Sequence, residues 1–110
     1  MPQKEMPWIR QDVLCLPNQL PIRVGSQAWF DWLSRTSAFC YQPPSTTDRL
    51  TLRKEKRRQQ FYWYAYLKRD RKLHNAYVGK TQSLTPARLH QVFASLMAKV
   101  HRQRQSFRDD

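Results

Sequence analysis

The chain has 110 residues and a mass of 13.3 kDa, room for one small domain with one modest core. Hydrophobic residues make up 40%, and no apolar run approaches the roughly 20 residues needed to span a bilayer, so no membrane partner is expected. Twenty Lys and Arg against eight Asp and Glu give a net charge of +12 and a pI near 10.4, a balance that suits a polyanion, nucleic acid before an anionic membrane.

The opening Met1-Pro2-Gln3-Lys4-Glu5 lacks the apolar stretch of a signal peptide. Residues 1–24 hold Pro2, Pro7, Pro17 and Pro21 and show no sustained period, which reads as an extended arm whose Trp8, Ile9, Val13, Leu14 and Leu16 pack onto something. Its Cys15, with Cys40, can form neither a disulfide framework nor a cysteine-only zinc site. A cytoplasmic protein with reduced thiols is therefore expected. From residue 25 to 104 the pattern is that of a single α+β domain, with 105–110 as a tail. Ser26 can cap a helix over 27–35 that carries Trp29, Phe30, Trp32 and Leu33. Ser37 to Gln42 reads as a short strand with Phe39 and Tyr41, and Pro43-Pro44-Ser45-Thr46-Thr47-Asp48 as a loop.

At Arg49 the period changes to two. Leu50 and Leu52 alternate with Arg49, Thr51 and Arg53; later Phe61, Trp63, Ala65 and Leu67 alternate with Tyr62, Tyr64, Tyr66 and Lys68. Arg69-Asp70-Arg71 makes a hairpin turn, and Leu73 to Lys80 a third strand. Thr85-Pro86 opens a helix with Leu89, Val92, Phe93, Leu96 and Val100 on one stripe. The expected fold is a three-stranded antiparallel sheet packed on this C-terminal helix, with an extra N-terminal helix and short strand. The Phe61/Trp63/Ala65/Leu67 face meets the helix and the opposite face stays open.

Charge is not spread evenly. Residues 1–48 carry four basic and four acidic side chains, 49–80 eleven and two, and 81–110 five and two, which is net 0, +9 and +3. The middle stretch also holds six of the fourteen aromatics, unlike a merely solvated charge run. The open face would present Arg49, Arg53, Arg57, Tyr62, Tyr64, Tyr66, Asn75 and Tyr77, with Lys54, Arg58, Lys68, Lys72 and Lys80 completing the candidate set. Arginine can fork onto a base edge, cations meet phosphates, and tyrosines stack or donate hydroxyls. Arg53, mid-strand, is expected to reach a base; Arg69 and Arg71, in the turn, to meet phosphates. The bland alternative is a sheet face covered by cross-strand tyrosine pairs and solvated by its charges.

No catalytic constellation competes with that reading. His74, His90 and His101 are isolated, and there is no paired-carboxylate, nucleophile-elbow or phosphate-cradling pattern. A non-enzymatic protein without cofactor or metal is expected.

The motifs Val24-Gly25, Trp29-Phe30, Trp32-Leu33, Ser37-x-Phe39, Thr51-x-Arg53-Lys54-Glu55-x-Arg57, Tyr62-Trp63-Tyr64-Ala65-Tyr66, Tyr77-x-Gly79-Lys80 and Leu84-Thr85-x-x-Arg88-Leu89 form a pattern over residues 24–89. It resembles a segment at the start of some large ATP-dependent bacterial regulators of the LuxR family, maltose-regulator type, and short stand-alone bacterial proteins. Their ATPase and helix-turn-helix have no counterpart in this chain. The order of three strands and a helix is also similar to the arm-binding domains of tyrosine recombinases and to plant ethylene-response domains, which set a sheet in the major groove. The resemblance implies a duplex-DNA binder. Single-stranded DNA or RNA binding, or an adaptor role beside a larger protein, are the alternatives that the residues leave open.

Overall fold

Strict alternation builds the centre of the molecule, and tertiary pairing adds what no period announces. The computed structural model describes residues 7–17, 19–43, 46 and 48–108, with side chains as far as Arg102. Along the chain run β1 (Trp8–Arg10), β2 (Val13–Cys15), β3 (Ile22–Arg23), α1 (Gln27–Leu33), β4 (Ala38–Gln42), β5 (Leu50–Arg57), β6 (Gln60–Arg69), β7 (Lys72–Gly79), a 3₁₀ turn (Thr81–Ser83) and α2 (Pro86–Arg108). The strands form one seven-stranded sheet in the order β3-β2-β1-β4-β5-β6-β7. All neighbours are antiparallel except β1 and β4, which are parallel.

This corrects the expected three-stranded antiparallel sheet. β5, β6 and β7 do form a meander, but as one end of a larger mixed sheet. Residues 8–23, read as an arm, supply three of its strands. Two- and three-residue strands are too short to show a period; they exist because pairing sets Ile9 opposite both Leu14 and Tyr41. Helix α2 runs into the segment read as a tail, while Pro44, Ser45 and Thr47 of the predicted loop, and residues 1–6, lie outside the described residues.

One sheet face is the core. Register aligns Phe39, Leu52, Ala65 and Ala76 across four strands, and Ile22, Leu14, Ile9, Tyr41 and Leu50 across five. Against it lie Leu89, Val92, Leu96 and Val100 of α2, each nearly inaccessible, and the apolar side of α1. Trp29, Trp32, Phe39 and Trp63 pack as a chain of rings with centroids 5.3 to 5.8 Å apart. Their polar edges are satisfied: Trp29 Nε1 donates to the Leu84 carbonyl at 2.8 Å and Trp63 Nε1 to Thr81 Oγ1 at 3.1 Å. Phe61 corrects the predicted inner face. It points to the same side as Trp63 but is 53% exposed, because β6 runs past the helices there.

Local chemistry fixes the ends. Ser26 accepts the Trp29 amide, and Thr85 accepts the Arg88 amide ahead of Pro86. Gly79 has φ +136°, and a Cβ there would lie 2.9 Å from the Ser83 Cβ, so only glycine lets β7 turn off into the 3₁₀ turn. The outer edge of β7 is not left bare: Arg88 donates to the Tyr77 and Val78 carbonyls and Lys99 to that of Asn75. On the core side of β4, the Tyr41 hydroxyl is buried without a hydrogen-bond partner among the described residues. Burial first, and then the Asp12 charge, push its pKa up.

All three two-residue hairpin turns place both central residues at positive φ: Gln11-Asp12, Arg58-Gln59 and Asp70-Arg71. That is the requirement of a type I′ turn, met without glycine and at a steric cost. Arg71→Gly, which creates the favoured Asp-Gly pair, is expected to raise unfolding free energy by about 0.5–1 kcal/mol. Urea denaturation checks it; an unchanged or lower midpoint would show that the turn carries no strain.

Candidate nucleic-acid interface

The face opposite the helices holds what alternation excludes from the core. One row across it reads Trp8, Cys40, Thr51, Tyr66, Asn75, and the next Ala38, Arg53, Tyr64, Tyr77. By the same parity Arg49, Arg57, Tyr62 and Lys68 point this way. The tyrosines touch one another: Tyr77 lies 5.6 Å from Tyr64, edge to face, and 6.1 Å from Tyr62. Arg57 sits 5.4 Å over the Tyr64 ring and bonds Glu55 at 2.7 Å. Tyr66 also donates its hydroxyl to the Glu55 carboxylate. That bond, then the bond and charge of Arg57, hold the Glu55 carboxyl below the usual carboxylate range, and the same contact raises the Tyr66 hydroxyl. Glu55 is thus spent inside the face as an organiser of Tyr66 and Arg57.

Not every expected residue is here. Lys54 lies on the core side, where Nζ donates to the Leu33 carbonyl at 2.9 Å beside the Trp63 ring, and burial lowers its pKa. Arg69 also turns to the helix side, bonding Asp48 at 2.9 Å and Met97 Sδ at 3.7 Å. Lys72 shares that parity and is exposed at the sheet edge. Arg58 and Arg71 occupy the turns at opposite ends of β6, and Lys80 follows Gly79 near the Arg58 end. The face therefore gathers Arg49, Arg53, Arg57, Tyr62, Tyr64, Tyr66, Lys68, Asn75 and Tyr77.

Two features escaped the sequence reading. Trp8 belongs to this face, with the guanidinium carbons of Arg10 and Arg49 at 5.0 and 5.2 Å from its ring centroid. The order Trp8-Ile9-Arg10 fits that parity, but three residues are too few to announce a strand. The second is a projection. Pairing of β4 with β5 ends at Ala38 and Arg53, and pairing of β7 with β6 ends at Gly79 and Trp63. Beyond these, Glu55/Tyr62, Lys56/Phe61 and Arg57/Gln60 pair only with each other. Those rungs extend the hairpin by roughly 10 Å as a two-stranded ribbon. Lys56, Arg57, Arg58, Gln59 and Gln60 on it are all exposed, and the Lys54 bond to the end of α1 braces its base.

Among the described residues no group of three or more His, Cys, Asp or Glu could hold a metal ion, and no helix is long and apolar enough to cross a membrane. No protein-family model, no curated protein and no solved structure matches the chain.

Proposed function

We propose that the chain is a non-enzymatic DNA-binding protein that enters the major groove of duplex DNA with the projecting β5–β6 ribbon. The observation that carries this reading is the join of an Arg/Tyr sheet face to a basic ribbon only two strands wide. Seven strands span about 29 Å at ~4.8 Å each, too broad for a groove about 12 Å wide, whereas two strands fit. The outer-face cations then flank the groove and meet phosphates, and Arg58, Gln59 and Gln60 at the tip are the side chains aimed at base edges. This moves the base-reading position from Arg53, held mid-sheet, to the ribbon. The resemblance to LuxR-family regulator segments supports a cytoplasmic bacterial setting.

A gel shift with length-matched duplex DNA, single-stranded DNA and duplex RNA tests the proposal. Duplex DNA is expected to bind best, and Arg58→Ala with Gln59→Ala to flatten any sequence preference selected from randomised duplex. Preference for the single strand or for RNA would overturn it.

A further inference from the structure

Beside the ribbon, the outer face is not flat. In the row Trp8, Cys40, Thr51, Tyr66 the two middle side chains are small and the two outer ones are large rings. The rings stand three strand spacings apart, about 14 Å between their Cα atoms. Between them lies an open trough of about 640 Å³, floored by Cys40 and Thr51, and lined further by Arg49, Arg53, Lys68 and Leu73. Among the described residues no acidic side chain lines it. Arg49, Arg53 and Lys68 enter no ion pair among the described residues. Arg53 also lies in the field of the Glu55 carboxylate, and the charges of Arg49 and Lys68 have no carboxylate beside them among the described residues. The volume falls within the range of small-molecule sites.

We infer that this trough receives one unpaired nucleotide of a DNA strand, its base against Trp8, Tyr66 and Leu73 and its phosphate on Arg49, Arg53 and Lys68. The chemistry selects this occupant. A free anion would use the three cations and leave the aromatic walls idle, and an apolar ligand would leave three desolvated charges unpaired. A nucleotide uses both, with a planar face for stacking and a phosphate for the guanidinium forks. The Arg49–Trp8 stack holds one of those forks in place before binding. The inference rests on the DNA-binding reading and adds a preference for duplex with one nucleotide outside the stack.

The test compares two duplexes of equal length, one fully paired and one with a single bulged 2-aminopurine. Trp8 is the one tryptophan outside the core, since Trp29, Trp32 and Trp63 lie within it. Binding of the bulged duplex is therefore expected to be about tenfold tighter and to quench tryptophan emission. Two variants should bring the affinity ratio of bulged to paired duplex near one: Trp8→Ala, which removes a wall, and Thr51→Phe, which fills the floor. If either fails to fold by circular dichroism, the other carries the test. Equal affinity for both duplexes in the native protein, or a ratio that survives in a folded variant, would overturn the trough while leaving groove binding intact. Binding of the bulged duplex alone would support the trough and sink the groove reading, and binding of neither would sink both.

Discussion

Trp63→Ala is expected to destabilise the protein by about 3–5 kcal/mol, a large share of the stability of a small domain. The ring is fully buried at the meeting point of α1, β4, β6 and the 3₁₀ turn, 5.3 Å from Phe39. Its loss opens a cavity lined by groups on different elements, which cannot collapse together. It also leaves Thr81 Oγ1 without the indole proton it accepts. Tyr64→Ala, one residue along and on the opposite face, loses the contacts with Tyr77 and Arg57 and should cost about 1 kcal/mol. Equilibrium urea unfolding of both variants measures the contrast. The reverse order would mean that the two sheet faces have been exchanged, since a one-residue slip inverts every side chain.

The second large effect is ionic. Lys54, Arg69, Arg88 and Lys99 are committed to protein oxygens, whereas Arg49, Arg53, Lys56, Arg57, Arg58 and Lys68 of the outer face and the ribbon are exposed. If five or six of them meet phosphates, log K falls with log salt at a slope of about −4.5 to −5.4. Raising salt from about 50 to 200 mM should then weaken duplex binding by roughly 500- to 1800-fold. Lys68→Ala, which removes one exposed cation of the outer face, should reduce the slope by about one. Fluorescence anisotropy at several salt concentrations gives the slope directly, and a value near zero would remove the electrostatic footprint.

What was legible in the sequence was parity; what was not was coverage and partnership. The alternation of Leu50 and Leu52, and of Trp63, Ala65 and Leu67, separates inner from outer positions on β5 and β6. The same parity puts Lys54 with Leu52, and Arg69 with Leu67, on the core side. The sheer density of charge hid this when all basic residues were grouped as one surface. Parity also sends Phe61 inward, correctly, but nothing in its own neighbourhood says that the helices stop short of it. Caps were readable because Ser26 and Thr85-Pro86 act within one turn of chain. β1, β2 and β3 were not, because strands of two and three residues show no sustained period and what joins their hairpins to the sheet is the β1–β4 pairing, distant in sequence; with them went Trp8 and one wall of the trough.

The amines and guanidines along β7 bear on how the protein behaves in company. A bare outer strand on a seven-stranded sheet invites a second molecule to add its own strand. Charge repulsion at +12 keeps copies apart only in free solution, because salt or a bound polyanion screens it over about a Debye length. Several copies side by side on one nucleic acid would lose that protection. Arg88 and Lys99 supply a guard that screening does not remove, since they already occupy the Asn75, Tyr77 and Val78 carbonyls that a neighbour's amides would seek. Crowding on a polymer can then proceed without fusing the sheets.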